Sequence, residues 1–391
     1  MSAADLSRPD RFASLAAIYA CIFANGLGMG LSLPLLSLIL EREGVSATLN
    51  GANAMVGAAA MMVVTPFIPA LAARFGTLNF LAASYVTASL SLLLFPATTS
   101  LLLWFPLRFV LNSALQCLFV VSEVWINSVA PDGMRGRLIA IYTSVFAIGF
   151  GLGPLMIQVL GTSGWAPFIG GAITMLSALI PLLLVPRRLI PRIEHADAKA
   201  MFGFVFASPT AAAAALCYGA VESCAGAFIA VYAVRQGTPE TGATLLLSAW
   251  AIGNIVLVPV LGWLSDRQDR RIVLMACALA SSAAALCMPF FQGVEASALV
   301  VVFLWGGFVS ALYALGLTHL GARFTGHELA SANSAFAILY AAGVMAGPAL
   351  GGIAMDAWNP HGLIAVLALI PAVFAVLAGW RAATIPRGGT S

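Results

Sequence analysis

Residues 101–128 read LLLWFPLRFVLNSALQCLFVVSEVWINS. The segment is long enough to cross the hydrocarbon core of a bilayer, which takes about 20 helical residues. Yet it carries Arg108, Asn112, Gln116 and Glu123. At 100° per residue these four and Phe119 fall within an arc of about 80°. One face is therefore polar along most of the segment, while the other faces are apolar. Such a helix shows its apolar faces to lipid and turns its stripe toward protein or water. The stripe needs partner helices, so this segment predicts a bundle of membrane-spanning helices.

The composition of the whole chain agrees. Of 391 residues, 61% are hydrophobic and 8% charged, with a mean hydropathy of +0.99. A soluble domain carries about 25% charged residues, so the solvent of this chain is largely lipid. Apolar runs of bilayer length recur between short polar or basic links. They predict twelve spans, over 13–40, 50–73, 78–98, 101–128, 138–160, 165–185, 209–234, 243–264, 272–292, 297–320, 330–354 and 362–381. The runs lack the period-2 alternation of barrel strands, so the expected fold class is all-α integral membrane. The run after the short polar start MSAADLSRPDRF is long and has no small-residue cleavage site. It is expected to stay as the first span, not to leave as a signal peptide.

The 18 lysines and arginines set an expected orientation. With the N-terminus inside, fifteen fall on the cytoplasmic side, Arg42 and Arg235 fall outside, and Arg108 lies within a span. Both termini are then cytoplasmic, in the inner (plasma) membrane. The net charge of +3 reports this topology, and no nucleic-acid partner is read from it. The six cysteines all fall in predicted spans without a CxxC pair, and read as small packing residues. The chain has no GxxxxGK[ST] loop, no HExxH and no His/Cys/Asp cluster at ligand spacing. No cofactor and no metal is expected. The absence of a visible nucleophile–base pair sets enzymes aside.

The longest polar link, PRRLIPRIEHADAKAMFGFVFASP at 186–209, divides six spans from six. The expected organisation is a six-helix bundle at 1–185, a cytoplasmic linker at 186–208 and a second bundle at 209–391. A repeat runs across the link. Gly153-Pro154 lies 194 positions before Gly347-Pro348, and LAARFG at 71–76 lies 193 before LSDRQD at 264–269. Halves with six spans each enter from the same face, as parallel repeats about an axis along the membrane normal. Rocking one half against the other would open a shared site to each side in turn.

Two stretches carry a family resemblance. GWLSDRQDRR at 262–271 follows the loop signature Gly-x-Leu-x-Asp-Arg-x-x-Arg-Arg of the major facilitator superfamily. GVMAGPALGG at 343–352 resembles the Gly-x-x-x-Gly-Pro-x-x-Gly-Gly motif that the family's proton-coupled drug exporters carry in their fifth helix. Here the fifth span keeps only the first half, GFGLGP at 149–154, and the first-half loop has Ala73 and Thr77 where the family has an aspartate and a basic residue. The resemblance implies twelve helices in two pseudo-symmetric bundles, with spans 1, 4, 7 and 10 lining a central cavity. It further implies a cytoplasmic latch at Asp266, Arg267, Arg270 and Arg271, with Asp266 beside a helix N-terminus. A plain solvated loop is the alternative. In Gly153, Pro154, Gly343, Gly347 and Pro348 the glycines allow close helix approach and the prolines bend the helix. That serves packing alone or gating as well.

Among the acidic residues only Glu123 and Glu222 fall within spans, and Arg108 is the one basic residue there. A charge near the bilayer centre costs about 2.5–3.5 kcal/mol on insertion scales, so each is a functional candidate. Glu222 lies near the middle of span 7, on one face with Tyr218. A carboxyl there suits taking a proton from one side and giving it to the other, and the alternative is a fixed ion pair with Arg108. Arg108 has two open readings: docking an anionic cargo through its planar fork, or holding a glutamate charged. Glu123 sits nearer the cytoplasmic end, as a gate pairing with Arg74, Arg135 or Arg137 or as a second proton-coupling group. Trp125 reads as an interfacial anchor and Asn127 as a helix-end hydrogen-bonding group. The other candidate cargo-binding positions are Asn112, Gln116 and Phe119 on span 4, Asn25 and Met29 on span 1, Tyr218 on span 7, and Trp305 and Tyr313 on span 10.

The expected function is secondary active transport by alternating access: proton-coupled export of small amphipathic molecules by a monomer in the lipid bilayer. The alternatives are proton-linked uptake or facilitated transport of an organic anion held by Arg108, and a receptor or channel on the same scaffold. The lack of a ring of like charges argues against a pore.

Overall fold

A computed structural model describes residues 8–130, 134–190, 209–291, 295–321 and 326–384. The expected linker from residue 191 on lies outside the described residues, as do Arg192, Lys199, Arg323 and Arg387 and the side chain of Arg135. The elements are α1 (Arg8–Arg42), α2 (Ala47–Val64), α3 (Ile68–Phe75), α4 (Thr77–Leu94), α5 (Leu101–Val129), α6 (Arg135–Leu160), α7 (Ala166–Ser177) and α8 (Leu179–Leu184). After the link come α9 (Pro209–Arg235), α10 (Glu240–Ala243), α11 (Leu245–Arg267), α12 (Arg270–Cys287), α13 (Ala296–Gly321), α14 (Gly326–Ala357) and α15 (Gly362–Thr384). Among the described residues, twelve helices, counting broken ones as single spans, are long and apolar enough to cross a membrane.

The breaks follow the prolines. The second span, expected as one helix, turns through a 3₁₀ segment at Thr65–Phe67 between α2 and α3, with Pro66 and Pro69 at the two restarts. A proline gives no backbone N–H and crowds the preceding turn. In the sixth span α7 ends at Ser177, the residue to which the missing N–H of Pro181 would have donated. The ninth closes in a 3₁₀ turn around Pro289. Where a helix carries its proline in place, as at Pro106 in α5, Pro154 in α6 and Pro348 in α14, the span continues.

The chain divides into two compact units. The first comprises Met1–Ile39 and Val56–Ala198, the second Leu40–Met55 and Lys199–Ser391. In the first, α1 crosses α6 with backbone against backbone. A Cβ added at Gly26 would overlap the Phe146 carbonyl, and one at Gly30 the Phe150 carbonyl. A Cβ at Gly149 would overlap the Phe23 carbonyl, and one at Gly153 the Leu31 amide. The hydroxyl of Tyr85 on α4 donates to the Cys21 carbonyl of α1 at 2.8 Å in the same core.

The second unit repeats the crossing with α9 and α14. Gly219 meets the Tyr340 carbonyl, Gly343 the Leu216 carbonyl and Gly347 the Ala220 carbonyl. Gly26 and Gly219 are 193 positions apart, while Gly149 and Gly343, like Gly153 and Gly347, are 194 apart. The spacing that marks the repeat in the sequence is thus the spacing of matched close helix contacts. In lipid, where apolar side chains gain little by leaving the solvent, such close backbone approach is what holds helices together.

Residues 40–55, the end of α1 and the start of α2, pack within the second unit. Asp356 of α14 accepts from the Ala47 and Thr48 amides at 3.0 and 2.8 Å and from the Thr48 hydroxyl at 2.6 Å. The first turn of α2 has no acidic residue of its own, and Asp356 supplies the negative charge that a helix start favours. Arg235, at the end of α9, donates Nε and Nη2 to the two oxygens of Glu41 at 2.7 and 2.8 Å, and Nη1 to Asn359 at 2.9 Å.

Candidate functional site

The second unit holds its half-buried in-span acid in a cage of tyrosines. Glu222 stands on α9 one turn after Tyr218, which donates its hydroxyl to Oε1 at 2.9 Å. Tyr340 of α14 donates to Oε2 at 2.7 Å. The Gly219 contact brings α14 close enough for this, because the same Tyr340 backbone lies against that glycine. Tyr313 of α13 completes the cage, with ring centroids 5.4 Å from Tyr218 and 5.3 Å from Tyr340. It packs edge-on against Phe336 at 5.0 Å, and Phe336 sits in a buried apolar cluster with Ala211, Ala215, Leu320 and Ala332.

A carboxylate that accepts on both oxygens is well served, since hydrogen bonds to an ionised group are short and roughly twice as strong as neutral ones. The same site accommodates the protonated form. A tyrosine hydroxyl donates and accepts, so one of the two need only turn for the new carboxyl O–H to find an acceptor. Glu222 has internal partners in either protonation state.

The first unit presents the opposite case. Arg108 on α5 is 2% exposed, and its Nε has no hydrogen-bond partner among the described residues. The stripe that carries it faces α2. A Cβ on Gly57 would stand 3.3 Å from Arg108 Nε and 2.8 Å from Asn112 Nδ2. Two turns farther along, Gln116 donates to the hydroxyl of Thr65 at 2.9 Å. Asn112 spends its amide on the Arg108 carbonyl, at 3.0 Å.

The remaining positions sort as follows. Phe119 is half-buried and packs edge-on against Phe146, with centroids 5.5 Å apart. Met29 is half-buried, and Asn25 is buried with neither side-chain atom partnered among the described residues. Glu123 is exposed and forms no ion pair with Arg74 or Arg137 among the described residues, while Arg135 falls outside them. Asn127 donates back to the Glu123 carbonyl at 2.8 Å. Trp305, expected on a cavity wall, is fully buried against Trp250, with centroids 5.7 Å apart, where Gly306 lets α11 and α13 touch. Trp125, expected as an interfacial anchor, is also fully buried.

The loop signature also differs in detail. Asp266 lies in the last turn of α11 and pairs with Arg270 at 3.3 Å. The helix start in this loop, that of α12, is capped by Asp269, which accepts from the Arg271 amide at 2.9 Å. Arg267 lies 3.8 Å over the ring of Trp263. Asp266 and Asp269 stand three residues apart with the same charge, and only the local geometry tells which one caps.

The sequence profile of the Major Facilitator Superfamily matches residues 18–237 and again 211–389, nearly the whole chain in two passes. The chain belongs to that superfamily. This transporter is 29% identical over 360 residues to the uncharacterized MFS-type transporter YfkF of Bacillus subtilis (strain 168), covering 88% of this chain and 89% of the relative. It is 22% identical over 288 residues to the uncharacterized MFS-type transporter YcaD of Escherichia coli O7:K1, covering 73% and 74%. Among solved structures it is similar to nucleoside transporter NupG, with a TM-score of 0.76 at 13% identity over 96% of this chain and all of that one. A bacterial homolog of the human lysosomal transporter Spinster, in an inward-facing and occupied conformation, gives 0.74 at 15% over 96% and 98%. At those identities the structural likeness speaks for the fold. The transporter is thus a multi-pass membrane protein and not an enzyme.

Sequence reasoning missed three features of the transporter. Tyr340 is 118 positions from Glu222, and no local pattern joins them. Gly57 reads as one small residue among many, and gains meaning only from the side chains opposite. The Glu41–Arg235 pair had a faint signal, because Arg42 and Arg235 were the only basic residues left outside and both have acids in reach: Arg42 lies 3.6 Å from Glu240.

Proposed function

We propose that this chain is a proton-coupled secondary transporter that works by alternating access and exports small amphipathic organic molecules. The observation that carries the coupling is Glu222 between the hydroxyls of Tyr218 and Tyr340. A group that carries a proton through a transport cycle must be tolerable both charged and neutral inside the membrane, and two reversible O–H partners provide that. Export is supported by the resemblance of the α14 motif, and of its half-copy in α6, to the proton-coupled drug exporters.

In this reading Gly153-Pro154 and Gly343 with Gly347-Pro348 are the crossings on which the bundles flex. Asp266, Arg267 and Arg271 form the polar cluster of the cytoplasmic end, and Glu123 is its counterpart at the end of α5. The protein sits as a monomer in the inner (plasma) membrane with both termini cytoplasmic. The test is purified protein in liposomes with an internal pH dye. Cargo added to one side should move protons, Glu222→Gln should abolish that movement, and flux that survives Glu222→Gln would overturn the assignment.

A further inference from the structure

Arg108 raises a question that the coupling site does not answer. A buried cation without a counter-charge is among the most costly arrangements a protein can hold. The described acids of its own unit are Asp10, in the opening turn of α1, and Glu123. Glu123 is fifteen residues farther along the same helix, about 22 Å at 1.5 Å per residue. Neither reaches the guanidinium. Glu222, the ion-pair partner in the alternative reading, has both oxygens engaged by tyrosines.

The surroundings give Nε no acceptor. Opposite Arg108 and Asn112, α2 carries Gly57, whose missing side chain lets the α2 backbone lie directly against Nε and Nδ2. The donor nitrogens of the neighbouring stripe residues turn elsewhere, that of Gln116 to the Thr65 hydroxyl and that of Asn112 to the Arg108 carbonyl. What remains is a planar, permanently charged donor with no internal acceptor at Nε, on a stripe whose Phe119 packs against Phe146 of α6 before the stripe ends at Glu123.

We infer that Arg108 docks an anionic group of the cargo, a carboxylate, sulfonate or phosphate monoester, with the apolar body of the molecule lying along α5 toward Phe119. The guanidinium fork suits such groups because it offers parallel donors in the plane of two acceptor oxygens. The inference rests on the reading of the chain as a small-molecule transporter, and it specifies the cargo class of that transporter. It depends neither on the direction of transport nor on the proton.

The experiment is thermal unfolding of the full chain in zwitterionic nanodiscs with four probes of one shape: 3-phenylpropionate, 3-phenylpropanesulfonate, 3-phenylpropylamine and 3-phenylpropanol. The two anions should raise the midpoint by about 2–4 °C at saturating concentration, and the amine and alcohol should not. Arg108→Gln should lose the shift, Arg108→Lys should keep part of it, Gly57→Ala should weaken it, and Glu222→Gln should leave it unchanged. Equal stabilisation by amine or alcohol, or an anion shift that survives Arg108→Gln, would overturn the assignment. So would failure of Arg108→Gln to fold, which would mark a structural cation. Nanodiscs containing phosphatidylglycerol separate the sources of an anion: if the lipid alone reproduces and saturates the shift, the site belongs to a lipid headgroup and the cargo assignment falls. Anion binding without proton movement in liposomes would remove the coupling proposal and leave this one standing. Proton movement with the amine alone would do the reverse.

Discussion

Arg108 and Glu222 are charges placed inside membrane-spanning helices, one in each unit, and their surroundings are opposite. Glu222 is met by two hydroxyls within 2.9 Å. Arg108 is nearly as buried as a side chain can be, and its Nε meets no acceptor among the described residues. A group supplied with internal partners can change its own state without help from outside, as a proton carrier must. A group denied them is stable only when something else arrives. The division of labour between coupling and cargo is thus written in which charge the protein chose to satisfy.

The strongest test of that contrast is Glu222→Gln in liposomes, where proton movement should vanish while anion stabilisation of the purified protein stays. Next is Arg108→Gln, which should lower the affinity for 3-phenylpropionate about 100-fold, the loss of two charge-assisted hydrogen bonds at about 1.5 kcal/mol each; titration by midpoint shift measures it. Tyr340→Phe keeps the ring packing and removes one donor to Glu222. It should cut the rate of proton movement about 10-fold, by the same measure of one bond to a charged group, and a rate equal to the parent's would mean that Tyr218 suffices alone.

The smallest effect sharpens the contrast from a third charge. Asp356 accepts three hydrogen bonds, so Asp356→Asn should lower the unfolding midpoint by about 2–4 °C, the weight of about 1 kcal/mol in a unit of this size. Without ligand, Arg108→Gln should show no such fall. Removing a satisfied charge weakens the fold, whereas removing an unsatisfied one relieves it.

Much of the fold was legible because lipid is a strict solvent. Twelve apolar runs became twelve helices with ends shifted by a few residues, and the repeat offset between Gly153 and Gly347 reappeared as matched crossings of α1 on α6 and α9 on α14. The polar stripe of α5 was readable from helical phase alone. What phase leaves open is the neighbour. It puts Trp125 and Trp305 on defined faces without saying that other helices cover them. It gives Glu222 a depth without revealing Tyr340, and Arg108 a charge without revealing Gly57. Those facts depend on which residues a second helix brings, and a single sequence does not register its helices against each other.

The cap on α2 has a consequence for how the chain is made. Ala47 and Thr48 emerge from the ribosome 309 and 308 residues before Asp356. At about 5–20 residues per second, the interval is roughly 15–60 s. Throughout that time the first amides of α2 have only Ser46, whose hydroxyl accepts from Leu49 at 3.3 Å, and the headgroup water. The α1–α2 hairpin is therefore made long before the group that finishes it, and a chain truncated before α14 would display its α1–α2 tip without this cap to the cell's quality control.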